Sequence, residues 1–191
     1  SDVRKQNAAV LQKELIASLE NLNFLAVQFE ISITGKSISA NGFDDVEFLI
    51  STNPGETVKP LGQVASGGEL SRVMLSVKSL LAGAKTLPTI IFDEIDTGVS
   101  GAIADKMAQM MQQMCADGHQ VLAITHLPQI AACGDYHYKV YKEDDDDSTQ
   151  TGIIKLNKEE RITEIAQMMS GTTLSKAAIE NAKSLIENNG R

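Results

Sequence analysis

The stretch Thr89 to Gly101, TIIFDEIDTGVSG, limits what this chain can fold into more than any other part of it. Four residues of strand preference, Thr89, Ile90, Ile91 and Phe92, run straight into two acids, Asp93 and Glu94, and Pro88 closes the run at its start. An unbroken apolar run stopped by charge reads as a strand buried on both faces, the pattern of a parallel sheet. Open α/β sheets bind ligands in the crevice beyond the carboxyl ends of their strands, so the two carboxylates are expected there. Adjacent acids at such a point can divide the labour of nucleotide hydrolysis. One helps hold Mg²⁺, directly or through water, and the other polarises the attacking water. A strand that merely ends in a polar loop would carry the same letters, so the reading depends on its neighbours.

Two stretches supply them. Residues 65–72, ASGGELSR, precede a helix pattern in which Leu70, Val73, Met74, Val77, Leu80 and Leu81 keep a 3.6-residue period. Ser66 has the chemistry of an N-cap, with Glu69 three residues later as in a capping box. Gly67 and Gly68 leave backbone N–H groups at the helix start open to a phosphate. An ordinary capped helix would account for these letters as well. After the central strand, Asp96, Thr97 and Gly98 read as a loop, and Ser100 as the cap of a helix over Ala102 to about Ala116. Met107, Met110, Met111 and Met114 in that helix read as adaptable core packing. Asp117-Gly118 turns the chain into QVLAIT, a second buried strand from Gln120 to Thr125 with His126 at its end. A right-handed βαβ unit points both carboxyl ends the same way. Topology alone is therefore expected to bring Asp93, Glu94 and His126 near one another.

Composition removes several alternatives. With 191 residues, 42% of them apolar and 22% charged, the chain can build a good-sized core. No apolar run approaches the roughly 18 residues of a membrane helix, and the polar start SDVRKQN has no signal-peptide core. Cys115 and Cys133 stand apart without metal-ligand spacing and read as thiols in a reducing cytoplasm. A net charge of −8 and 4% aromatics argue against a broad nucleic-acid grip or a base-stacking platform in this chain.

Residues 1 to about 26 read as a helix. Ala8, Leu11, Leu15, Leu22 and Leu25 fall on a heptad seam, with Leu19 beside it. Either a helix packed on its own domain or the returning end of a longer coiled coil would give this pattern. From Val27 the period becomes two. Val27, Phe29, Ile31 and Ile33, then Val46, Phe48 and Ile50, read as an antiparallel pair around the turn residues Asn41-Gly42. Gly35-Lys36-Ser37 ends like a phosphate-binding P-loop, but that motif needs a glycine five positions earlier, where Glu30 stands. It reads as a turn or strand end, and the sequence offers no other Walker A candidate. Pro128 starts a short helix or turn. Tyr136 to Tyr141 and Thr151 to Leu156 read as a hairpin whose acidic connection, Asp144 to Asp147, is a solvated tip. Two helices follow, about Glu159 to Met169 and Leu174 to Glu187, divided at Gly171.

SGGE before an amphipathic helix, the apolar strand with DE, a D-loop and a strand-end histidine resemble, in that order, the second lobe of an ABC-type ATPase head. The SGGE form leans toward the chromosome-maintenance and DNA-repair branch. VASGGELSRVMLSVKSLL, IIFDEIDTGVSG, VLAITHLPQIAACGDYHYKVYK, RITEIAQMMSG and NPGETVKPL resemble the RecN family of bacterial double-strand-break repair proteins, SMC-like ABC ATPases. The resemblance covers roughly residues 24–184. It implies an α/β fold, the C-terminal lobe of an ABC-type head, with a mainly parallel sheet flanked by helices, β-hairpins and an N-terminal helix. Residues 1–26 would be the end of a coiled coil and 27–191 the lobe. The family's Walker A and Q-loop belong to an N-terminal lobe that these residues do not include.

Residue by residue, the resemblance implies that Asp93 helps hold Mg²⁺, that Glu94 is the general base or water-orienting carboxylate, and that His126 contacts the γ-phosphate. Ser66, Gly67, Gly68 and Glu69 would form the signature that meets the ATP held by a second head, and Asp96 would couple the two sites. The implied partners are ATP with Mg²⁺, the N-terminal lobe, a second identical head and, through the complete protein, DNA in the nucleoid, with no membrane. The complete protein would be an ATPase, and this stretch alone inactive. A transporter's nucleotide-binding subunit and a non-catalytic dimerisation module are the alternatives. SGGE and the heptad start weigh against the first, and the intact Asp93, Glu94 and His126 against the second.

Overall fold

The change of period at Val27 is where helix gives way to sheet in the computed structural model, which describes all residues except 65–66, 85–86, 146–147, 172–173 and 190–191. Helix α1 (Asp2–Asn21) precedes strands β1 (Gln28–Ser39) and β2 (Gly42–Ser51). The chain divides into two units, Ser1–Leu122 and Ala123–Arg191, with the division inside the fifth strand.

In the first unit α1 packs on β1 and on the helix that begins at Gly67. Its buried stripe is Leu15, Leu19 and Leu22, a 4–3 spacing that keeps one face toward the unit. The seam does not continue to Leu25, which is 96% exposed. The helix ends at Asn21, and Asn23 takes a left-handed backbone (φ 65°), which breaks the helical path. The C-terminal half of α1 therefore behaves as a helix packed on its own domain.

β1 and β2 pair antiparallel, with Phe29 opposite Ile50 and Ile33 opposite Val46. Gly35-Lys36-Ser37 is neither a turn nor a strand end. It lies inside β1, where Gly35 faces Asp44 and the register shifts before Ser39. The Lys36 ammonium donates to Asp45 at 2.9 Å, so it is occupied as a cross-strand partner. β3 (Lys59–Pro60) adds to β2, and a single 3-10 turn (Leu61–Gln63) leads toward α2 (Gly67–Ala84). α2 buries Val73, Leu75, Ser76 and Ala82 but leaves Leu70, Met74 and Leu81 exposed. Its apolar residues thus span more of the helix than the unit covers.

β4 (Thr89–Asp93) and β5 (Gln120–Ile124) form a two-stranded sheet. Their starts lie side by side, with Gln120 N–H donating to the Pro88 carbonyl at 2.9 Å and the Thr89 hydroxyl to the Gln120 side chain at 3.0 Å. Ile90 and Phe92 are buried, whereas Ile91 is 55%, Leu122 46% and Ile124 53% exposed. The expected burial of both strands on both faces is not met. The described residues cover one face of β4 and leave apolar side chains of the pair open. α3 (Ala102–Ala116) buries Met107, Met111 and Met114 in the core and leaves Met110 half-buried. Its N-cap is Gly101 (φ 55°) and not Ser100, because the chain enters the helix through a positive φ that a glycine adopts without strain.

The second unit gathers α4 (Pro128–Cys133), the hairpin β6 (Tyr138–Asp145) and β7 (Ser148–Lys155), α5 (Lys158–Ser170) and α6 (Lys176–Asn189). Its core joins Ala131 and Ala132 of α4 to Ile165 and Ala166 of α5 and Ala178 and Ala182 of α6. Small residues let these three helices approach closely. α5 opens with a full capping box between Asn157 and Glu160 and closes at Gly171 (φ 72°). The hairpin strands run on to Asp145 and from Ser148, further than the alternation foretold. The tip residues 146 and 147 lie outside the described residues.

Candidate functional site

The apolar residues of β4 carry the chain to Asp93, and the strand stops there because the backbone reverses at Glu94. Glu94 has φ 48°, one of two positive values among non-glycine residues described. A side chain with a Cβ pays roughly 1–2 kcal/mol for this conformation, and strain of that kind is held where surrounding structure fixes it. Here the Glu94 carbonyl accepts from Thr97 N–H at 3.3 Å and from the Thr97 hydroxyl at 2.9 Å, and the Asp96 carbonyl accepts from Val99 N–H at 3.0 Å. These bonds wind residues 94–99 into a tight turn. Ile95, Asp96 and Val99 point inward, with Asp96 fully buried, while Asp93 and Glu94 remain exposed. The turn therefore presents two carboxylates to solvent from a fixed base.

The start of α2 rests on this same turn. A Cβ built on Gly68 would lie 2.8 Å from the Gly98 carbonyl oxygen and 3.3 Å from that of Thr97. A Cβ on Gly98 would meet the Gly68 nitrogen at 3.3 Å. Backbone touches backbone here, which only glycine allows. Gly67, one residue earlier, has nothing within 4 Å of the equivalent position. Gly68 is thus fixed by contact and Gly67 is open. Ser66 lies outside the described residues, so its expected N-cap is not seen. Glu69 is half-buried in the first turn.

Arg72 holds this helix start from behind, a role that residue patterning did not reveal. Its Nε donates to the Gly68 carbonyl at 3.2 Å and its Nη1 to the Leu22 carbonyl at 2.9 Å, while the guanidinium lies 4.1 Å over the Phe24 ring. The end of α1, the start of α2 and the turn after β4 are thereby linked in one unit. The only sequence signal was an arginine four residues after a glycine, on the same helical face.

His126 belongs to the second unit and is exposed, just beyond β5. The Thr125 hydroxyl accepts from Leu127 N–H at 2.9 Å and shapes the loop around it. In the same unit Arg161 of α5 donates through Nη2 to the carbonyls of Ala131 (3.3 Å) and Ala132 (2.8 Å), the last turn of α4. Lys139 pairs with Glu164. His137 is half-buried, and desolvation, followed by the Arg161 charge, holds its pKa below the ordinary value of 6.5. Among the described residues no group of three or more His, Cys, Asp or Glu could hold a metal ion. No helix among those residues is long and apolar enough to cross a membrane.

An exposed carboxylate pair at a strand end, in a turn that cradles a glycine helix start, belongs to a known class of fold. The Smc head domain with a coiled coil and joint from Pyrococcus yayanosii matches 88% of this chain and 30% of its own, with a TM-score of 0.64 and 18% identity. A chain solved in work on ATP-driven dimerization and DNA-stimulated activation of SMC ATPases matches 90% of this chain and 99% of its own, with a TM-score of 0.54 and 17% identity. The fold is thus the SMC-like, ABC-type head lobe. The sequence relatives are DNA repair proteins. The DNA repair protein RecN of Halalkalibacterium halodurans is 40% identical over 98% of this chain and 34% of its own length. RecN of Bacillus subtilis is 39% identical over 98% and 35%, and RecN of Deinococcus radiodurans 44% identical over 96% and 32%. This chain is similar to RecN proteins over nearly all of its own length, and it spans about a third of the length of the curated relatives it matches. No protein-family model matches it.

Proposed function

We propose that these residues form the signature and Walker B half of an ATP-binding, ATP-hydrolysing head that acts in DNA double-strand-break repair and recombination. The observation that carries this is the backbone contact between Gly68 and the Thr97–Gly98 turn. It joins the helix start that would meet one nucleotide to the carboxylate strand that would serve another. Asp93 would hold Mg²⁺, directly or through water. When bound, the ion would neutralise charge on the phosphate oxygens. Glu94, strained and exposed, orients the attacking water and takes its proton. His126, at the end of β5, faces the γ-phosphate in cis. Ser66, Gly67, Gly68 and Glu69 present the start of α2 to the γ-phosphate of a second, identical head, where free N–H groups place partial positive charge. Asp96, buried in the turn between the two, couples them.

The exposed Ile91, Leu122 and Ile124 support a sheet continued by the N-terminal lobe that brings Walker A. The complete protein reaches DNA in the cytoplasm, on the nucleoid. These residues by themselves fold but do not hydrolyse ATP, because the chain has no glycine-rich loop and lysine to cradle the β- and γ-phosphates. Calorimetric titration should find no saturable Mg-ATP binding stronger than about 1 mM. Micromolar binding would contradict this.

The test of the dimeric site is Ser66→Arg in the full-length protein. Single-head ATP binding should persist, while sedimentation shows no ATP-driven dimer. A dimer as tight as the parent's would overturn the assignment of α2 to the partner's nucleotide.

A further inference from the structure

His126 sits two residues ahead of a helix too short to hold its own place. α4 has six residues, and a helix of that length closes few internal hydrogen bonds and leaves its last carbonyls without partners. Ala131 N–H donates to the Leu127 carbonyl at 3.1 Å, which fixes the first turn to the His126 loop. The far end is fixed from outside. Nη2 of Arg161 bridges the Ala131 and Ala132 carbonyls, as a cation at a helix C-terminus does. The same residues bury their methyl groups against Ile165 and Ala166 of α5, so α5 both packs on α4 and caps it. Arg161 holds this position although its Nε is buried without a partner, an arrangement that costs free energy and that core packing alone would not require.

We propose that Arg161 is a positioning residue for His126: through α4 it sets where the strand-end histidine stands when the γ-phosphate arrives. The proposal rests on the reading of His126 given above. Movement of the α4 end is transmitted forward because Leu127 is bound on one side to Ala131 and on the other to the Thr125 hydroxyl. The loop holding His126 therefore moves with the helix.

The experiment is a double-mutant cycle on ATP turnover by the full-length protein, with Arg161→Met and His126→Ala. Methionine keeps an apolar stem and removes the donors. His126→Ala should lower kcat by about 10²-fold, as loss of one transition-state contact does. Arg161→Met should lower kcat by about 10-fold with KM within about 2-fold. In the His126→Ala background it should change kcat by less than about 2-fold, because residues acting as a unit are not additive. Arg161→Lys, which restores one donor, should bring turnover back to within about 2- to 3-fold of the parent. Parent turnover in His126→Ala sinks the reading of His126. Slow His126→Ala with parent turnover in Arg161→Met, or an equal loss in both backgrounds, overturns the proposal and leaves His126 in place. If Arg161→Met does not fold, Arg161→Lys carries the cycle. A loss of about 2- to 3-fold seen only when His126 is present then supports positioning, and an equal loss or none refutes it.

Discussion

Gly68→Ala tests the packing on which the composite site depends. The new methyl would sit 2.8 Å from the Gly98 carbonyl oxygen and 3.1 Å from its carbon, both backbone atoms that cannot swing aside. Either the start of α2 or the turn after β4 must retreat by several tenths of an ångström. Overpacking of this kind costs about 1–3 kcal/mol, and the gain from replacing a helical glycine offsets about 0.5–1 kcal/mol of it. A net loss of about 1–2 kcal/mol follows, or a fall in melting temperature of about 3–6 °C for a chain this long. Gly67→Ala is the control, since nothing lies within 4 Å of its Cβ. It should melt at the parent temperature or slightly above. Thermal melts of the two variants, followed by circular dichroism, decide the matter. Equal melting temperatures, or a larger loss in Gly67→Ala, would show that the two turns are not in backbone contact. In the full-length protein Gly68→Ala should also slow ATP turnover more than Gly67→Ala slows ATP binding.

Glu94 should separate strain from chemistry. Glu94→Gly relieves a positive φ and should stabilise the chain by about 0.5–1 kcal/mol, whereas Glu94→Gln keeps the strain and should leave urea midpoints unchanged. Both should cost the full-length protein about 10²-fold or more in turnover, the usual cost of losing a general base. His137 should make stability sensitive to mild acid. Its pKa is lowered in the folded state, first by burial and then by the Arg161 charge, with Lys139 acting in the same sense and Glu164 opposing. The unfolded chain therefore binds the proton first. The contribution is fully present above the unfolded value of about 6.5 and is lost as pH falls through the lower folded value. Melting temperature should fall as pH is lowered below about 6.5, and His137→Gln should flatten that slope.

Much of this architecture could be read from the chain because its residues carry local signals. The period change at Val27 and the methionine face of α3 each fix one element. The alternating runs around Asn41-Gly42 give the antiparallel pairing of β1 and β2. Other features depend on groups distant in sequence. Nothing local tells that Gly35-Lys36-Ser37 continues a strand, because Asp44 and Asp45 on the opposite strand hold it there. Ser100 looks like a cap, but the backbone enters α3 through Gly101. The apolar runs of β4 and β5 imply cover on two faces, and the described residues supply only part of it. At the site, Asp93, Glu94, Gly68 and Gly98 were legible as motif letters. Their union was not, since the Gly68–Gly98 contact and the grip of Arg72 on Leu22 join residues 30 and 50 positions apart.

The central claim is that this lobe gives its carboxylates to one nucleotide and its signature to the other. Two full-length variants, Ser66→Arg and Asp93→Asn, test it when mixed. Each alone should be inactive, because Ser66→Arg forms no ATP-driven homodimer and every site in an Asp93→Asn homodimer carries the lesion. In a heterodimer one site collects both lesions and the other none. An equimolar mixture should therefore regain ATP turnover well above either variant alone, up to about half of the parent's, since each mixed dimer has one intact site of its two. Turnover that stays at the level of the separate variants would contradict the account and place signature and carboxylates at the same nucleotide.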